Sequence, residues 1–182
     1  IIAQHHAAVV HNPVSNLRLG SGVCHVRRNL CNDVTVSLGV DGAMSSDGQD
    51  MTEAIKLACL LSTLSSVDYR QWLTAKEALK LASEGGYAAM GMQGAGKIEV
   101  GCVADVTLWD LTAMSLLPRG DPASLLVLGR PQQGPGQAGS ALHSSFVRGR
   151  RVVSGGLPLT CNLGRLRETL WRHSEPRATG AA

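Results

Sequence analysis

The sequence predicts an α/β chain in which two buried strands and two helices are followed by a small β module and a closing helix. Three observations predict it. Short apolar runs at 7–10 and 34–38 each end abruptly in turn-forming residues. Two helix-start signatures, Asp50-x-x-Glu53 and Thr74-x-x-Glu77, precede apolar residues at helical spacing. Near Gly94 the texture changes to turn chemistry followed by β-branched and apolar residues at 103–109.

Taken in order, 7–10 reads as a buried strand closed by His11-Asn12-Pro13, because proline pushes the preceding residue out of the helical region. The stretch from Val14 to Gly22 is rich in Gly, Ser and Asn and reads as a loop; 23–29 reads as a short helix and 34–38 as the second buried strand. Met51, Ile55, Ala58, Leu61 and Leu64 form one helix face. Ala78, Leu79, Leu81 and Ala82 form another, ended by Gly85-Gly86, with Tyr87 to Met90 adding a turn closed by Gly91. Residues 124–128 read as a strand, 131–139 as a loop and 144–153 as a hairpin. Leu163, Leu166, Leu170 and Trp171 define a last amphipathic helix, and the tail from Ser174 reads as frayed.

Composition narrows the function classes. The 182 residues are 44% hydrophobic and 17% charged, an ordinary globular balance. A net charge of +3 is too small to argue for a nucleic-acid or membrane surface, and 3% aromatics leaves little for base stacking. The late arginines read as a solvated face. Five cysteines without a Cys-x-x-Cys pair suggest neither a disulfide framework nor a zinc ribbon, and buried free thiols point to a cytoplasmic location. The chain begins with Ile, and the expectation is a carboxy-terminal piece of a longer protein.

The most telling stretch is Leu38-Gly39-Val40-Asp41-Gly42, where a buried run delivers one carboxylate just past its end. A charge there is costly unless paired, and a metal or a catalytic task is a common reason for one. An Asp capping a turn before glycine is the competing reading.

Val10-His11-Asn12-Pro13-Val14-Ser15-Asn16-Leu17-Arg18-Leu19-Gly20-Ser21-Gly22, followed by Leu38-Gly39-Val40-Asp41-Gly42, resembles the amidohydrolase superfamily, in its branch of cytosine and guanine deaminases, adenosine-derivative deaminases and s-triazine hydrolases. The stretch from Gly96-Lys97 to Ala104-Asp105 resembles the same family's passage into a small β domain. The resemblance implies the carboxy-terminal portion of a (β/α)8 TIM-type barrel, strands 7 and 8 with their following helices, plus part of a β-sandwich. The corresponding units are 1–93 for the barrel portion, 94–160 for the sandwich portion, and 161–182 for a closing helix and flexible tail.

The family holds one divalent metal, zinc ahead of iron here, through His-x-His on the first strand, a His on the fifth and an Asp after the eighth. Asp41 matches that Asp; the others match nothing in this chain. His5 and His6 are adjacent, so they cannot replace a His-x-His, whose alternation puts both rings on one strand face. When bound, such a cation supplies a nucleophilic water near neutrality by lowering its pKa to roughly 7. Asp41 is then both metal ligand and catalytic proton shuttle.

The implied reaction is hydrolytic deamination of an amino-substituted N-heterocycle of purine, pyrimidine, pterin or triazine type. The alternatives are a same-fold hydrolase acting on another C–N or a C–Cl bond (dechlorination, alkylamine removal, cyclic amide opening) and a non-catalytic fragment lacking most metal ligands. The expected partners are a small heterocyclic substrate, the missing amino-terminal part of the same protein and further copies in a homo-oligomer, with neither nucleic acid nor membrane. The fragment alone is expected to be inactive and poorly soluble.

His11 either touches substrate or locks local hydrogen bonds. Asn12, Ser15 and Asn16 tie the backbone of their loop, with Asn12 and Asn16 also candidates near substrate. Ser45 either orients Asp41 from behind or is simply exposed. Val40 and Met44 stand where Thr and Ala are common in the family, Cys102 where Lys is frequent, and His25 where Pro is common; His25 has no assigned role.

Overall fold

The computed structural model describes residues 1–112, 114–129 and 141–174. Strands β1 (Ala8–His11) and β2 (Thr35–Leu38) pair in parallel, with Ala8 opposite Thr35 and His11 opposite Leu38. Parallel strands need a crossover, supplied here by α1 (Pro13–Arg18) and α2 (Val26–Leu30).

Helix α1 corrects the expectation of a loop from Val14 onward. Pro13 sits in its first turn, where the missing N–H is no loss and the fixed φ suits a helix. Asn12 is the N-cap residue, and its carbonyl accepts the Asn16 N–H at 2.9 Å. Turn composition and helix-start composition overlap here: Asn-Pro suits both.

β1 is also less buried than expected. Only His11 is fully buried, while Val10 is 50% exposed, because among the described residues β1 pairs on one side alone. β2 is buried along most of its length, at Val36, Ser37 and Leu38.

Past β2 come α3 (Ala43–Ser46), a single turn with no counterpart in the sequence reading, and α4 (Met51–Ser62). Asp50 caps α4 by accepting the Thr52 N–H at 2.9 Å and the Glu53 N–H at 3.4 Å. Leu64 lies beyond α4 and is 74% exposed, so it is not part of the buried face. Helix α5 (Ala75–Ala82) starts with a reciprocal cap: Glu77 N–H donates to Thr74 Oγ1 at 3.2 Å, and Thr74 N–H donates to Glu77 Oε2 at 2.9 Å.

The Gly85-Gly86 pair does not end helical structure, as expected from sequence. After a break at Ser83 the chain continues as α6 (Glu84–Ala89) through both glycines. The reason is close packing: a Cβ on Gly85 would collide with the carbonyl oxygen of Val36, so only glycine lets α6 lie against β2.

The core sits between β2 and these helices. Val36 and Leu38 pack with Val26 of α2, Ile55, Ala58 and Cys59 of α4, and Ala78 and Leu81 of α5. Burying each large aliphatic side chain contributes roughly 1.5–3 kcal/mol. One polar clamp ties α2 to α5: Arg27 Nη1 and Nη2 donate to Glu77 Oε1 and Oε2 at 2.8 and 2.9 Å. The Glu77 carboxyl is thereby pulled down from 4.5 to about 2, chiefly by the Arg27 hydrogen bonds.

The second sheet is antiparallel, in the order β3 (Val106–Trp109), β4 (Leu142–Val147), β5 (Arg150–Ser154) and β6 (Leu157–Pro158). Asp105, just before β3, accepts the Tyr87 hydroxyl and, at 2.6 Å, the Arg148 N–H, which joins α6 to the β4–β5 turn. Residues 124–128, expected as a strand, lie in α7 (Pro122–Leu128). Asp121 caps this helix through the Ser124 N–H at 2.9 Å, and Pro122 opens it; the apolar run winds around the helix, burying Val127 at 1% exposure and leaving Leu128 44% exposed. Helix α8 (Leu163–Ser174) is largely exposed, with Trp171 at 73%. The expected loop at 131–139 and the expected frayed tail beyond Ser174 lie outside the described residues. Among the described residues no helix is long and apolar enough to cross a membrane.

Candidate active site

The carboxyl ends of β1 and β2 lie side by side, because a parallel pair brings both C-termini to one edge. Each strand hands the chain to a different polar group there. β1 leads through Asn12 into α1, whose third residue is the buried Ser15. β2 leads through Gly39 and Val40 to Asp41, then through Gly42 into α3, which carries Ser45.

Three of these side chains meet. Ser15 Oγ donates to Asp41 Oδ2 at 2.6 Å, and Ser45 Oγ lies 2.9 Å from the same oxygen. Ser45 Oγ is also 3.0 Å from the Gly42 carbonyl, so one hydroxyl hydrogen is divided between two acceptors. The Ser15 bond is therefore the firmer of the two. Gln49 Nε2 donates to the Asp41 backbone carbonyl at 3.1 Å. Asp41 itself is exposed and adopts a left-handed φ of 60°, a conformation that Asp tolerates better than most residues. The hydroxyls of Ser15 and then Ser45, with the Gly42 N–H, hold its carboxyl below the usual value and keep it ionised at neutral pH.

The remaining candidates fall at different places. Strand alternation puts His11 on the side of Val36 and Leu38, which face the helices. It is 2% exposed, its Nδ1 has no hydrogen-bond partner, and burial lowers its pKa. The His11 backbone carbonyl ties the two strand ends locally, accepting the Gly39 N–H at 3.0 Å. Asn12 lies over Gly39, where a Cβ would strike its Oδ1, and so it flanks the path from β2 to Asp41. Asn16 is half-buried, and its carbonyl accepts the Ser21 N–H at 2.9 Å. His5 and His6 lie in and just after a 3-10 turn before β1 and are exposed.

The Ser15–Asp41 contact was missed in the sequence. The two residues are separated by 26 positions on different crossover segments, and no local spacing rule links them. The only signal was that the two motifs end neighbouring strands.

An ionised, oriented carboxylate at the edge of a parallel sheet suits a divalent cation as a hard oxygen ligand. Asp41 could supply one ligand. Among the described residues no three His, Cys, Asp or Glu groups lie close enough together to hold a metal ion.

The sequence matches the profile of the amidohydrolase family over residues 1–137. It is 35% identical over 162 residues to a 5-methylthioadenosine/S-adenosylhomocysteine deaminase of Pyrococcus furiosus, covering 89% of this chain and 36% of that protein. It is 30% identical over 127 residues to a 5'-deoxyadenosine deaminase of Methanosphaera stadtmanae, covering 70% of this chain and 29% of that one. Among solved structures, an adenosine deaminase from Xanthomonas campestris with bound zinc superposes with a TM-score of 0.82 at 28% identity, over 94% of this chain and 38% of that one. An atrazine chlorohydrolase from Arthrobacter aurescens in complex with zinc gives a TM-score of 0.82 at 26% identity, over 93% and 36%. The chain thus spans about a third of the length of the relatives it matches.

Proposed function

The chain belongs to the amidohydrolase family, and we propose that it forms the carboxy-terminal part of a metal-dependent deaminase acting on a 6-aminopurine nucleoside or a related amino-substituted N-heterocycle. In this reading β1 and β2 are the seventh and eighth strands of a (β/α)8 barrel, residues 1–93 belong to the barrel and 94–160 to a small β-sandwich, with 161–182 closing the chain. The open side of β1 is where the preceding strand would pair. The observation that carries the proposal is Asp41 at the carboxyl edge of the parallel pair, oriented by Ser15 and Ser45 on one oxygen.

Asp41 would hold the metal, zinc in preference to iron, together with histidines on the preceding part of the protein. Zinc in two structural neighbours supports that preference. Ser15 and Ser45 fix the carboxylate, so that Oδ1, which carries no side-chain donor among the described residues, faces the reaction. Asp41 then takes a proton from the attacking water and returns it to the ring nitrogen or the departing ammonia. Asn12, beside Gly39, lines the approach. The deaminase names of the sequence relatives favour a purine nucleoside. The chlorohydrolase among the structural neighbours supports a second reading, displacement of chloride by the same arrangement.

The test uses the longer protein that carries this chain. It should bind a divalent metal stoichiometrically and release ammonia from an adenosine-type substrate, and Asp41→Asn should lower turnover about a hundredfold or more while thermal unfolding stays unchanged. Absence of metal together with no ammonia from a panel of purines, pyrimidines and triazines would sink the enzyme reading. Unchanged turnover in the variant would remove Asp41 from it.

A further inference from the structure

A cavity of about 430 Å³ lies between the outer side of α2 and the turn that joins α4 to α5. It shares no residue with the Asp41 site. No carboxylate lines it, while two arginines and a histidine do.

The two arginines are in different states. Arg27 is committed: beyond its paired bonds to Glu77, its Nε donates to the Gln71 carbonyl at 3.2 Å and its Nη2 to the Trp72 carbonyl at 2.9 Å. These bonds fix the far wall against α2. Arg28 has neither a hydrogen-bonded nor an ion-paired side chain among the described residues, so its guanidinium charge is uncompensated. His25 precedes it by three positions, which puts the two on one side of α2. Across the cavity, Ser66 Oγ accepts the Asp68 N–H at 3.1 Å, and its own hydroxyl hydrogen stays available to donate. The Gln71 side-chain amide completes the rim.

The Arg28 charge and the polar groups of His25, Ser66 and Gln71 thus border one hollow from two elements; no carboxylate lines it, and Glu77 neutralises only the neighbouring Arg27. We propose that this cavity binds a phosphate-type oxyanion, either inorganic phosphate or a phosphomonoester, with Arg28 as the main contact and His25, Ser66 and Gln71 as accessory donors. Donors arriving from both walls suit a tetrahedral anion better than a planar carboxylate, and a guanidinium gives a paired contact to two of its oxygens. The site adds a second ligand position to the chain, on residues separate from those around Asp41.

The experiment is a calorimetric titration of the longer protein that carries this chain with inorganic phosphate, methyl phosphate and acetate, each at constant ionic strength against chloride. Phosphate should bind saturably and more tightly than acetate, and Arg28→Ala should weaken it about tenfold. The exposed side chain makes a folding defect in that variant unexpected, and Arg28→Gln with a circular dichroism melt provides the second check. Methyl phosphate binding at least as tightly as phosphate identifies a phosphomonoester as the source; weaker binding identifies the free ion. Equal affinity in the parent and both folded variants, equal affinity for acetate, or heat that does not saturate would overturn the proposal.

Discussion

Replacing Glu77 by Gln tests the link between α2 and α5 most directly. The carboxylate accepts four donors: Arg27 Nη1 on Oε1, and Arg27 Nη2, Thr74 N–H and Thr74 Oγ1 on Oε2, all between 2.8 and 2.9 Å. The amide keeps one acceptor oxygen and loses the charge. The carboxyl moves from 4.5 to about 2 on folding, and at 1.36 kcal/mol per pH unit this sets a ceiling of about 3 kcal/mol. The Glu77 side chain is 37% exposed, so solvent screening reduces the expected loss to about 1–2 kcal/mol at pH 7.

Because the folded-state value is depressed, this contribution is fully present above pH 4.5 and is lost as pH falls toward 2. Urea unfolding followed by tryptophan fluorescence, at pH 7 and at steps down to pH 2, should show parent and Glu77→Gln curves that converge in that window. A double-mutant cycle with Arg27→Ala should return a coupling of at least about 0.5 kcal/mol. A gap below about 0.3 kcal/mol at pH 7, or one that persists unchanged at pH 2, would refute the assigned role.

Ser15→Ala removes the firmer donor to Asp41 and should weaken metal retention or turnover of the longer protein roughly ten- to hundredfold; dialysis against a chelator, with the metal counted afterwards, measures it, and equal retention would show that Ser15 is dispensable. Gly85→Ala should destabilise the chain by about 1–3 kcal/mol, although alanine favours helix, because the new methyl meets the Val36 carbonyl. A stabilised variant in a thermal melt would contradict the close approach of α6 to β2.

Legibility followed the range of the forces involved. β2, the Asp50 and Thr74 helix starts and the 144–153 hairpin rest on local rules, and each stands where those rules put it. α1 and α7 differ from the sequence expectation for local reasons: Asn-Pro serves both turns and helix entries, and a short apolar run such as 124–128 fits a strand or a buried helix segment until packing chooses. Gly85-Gly86 looked like a stop because the benefit of having no side chain there comes from β2, far away in sequence. For the site, Asp41 was visible as a carboxylate past an apolar run, whereas Ser15 became its partner only through the crossover that joins β1 to β2.

The left-handed backbone at Asp41 limits how this position can drift. Asparagine and glycine fit that turn without strain; valine or isoleucine would have to break it. A single nucleotide change from Asp to Asn or Gly would therefore remove the carboxylate while sparing the architecture, and lineages without the proposed reaction are expected to keep the loop and carry one of those two residues in it.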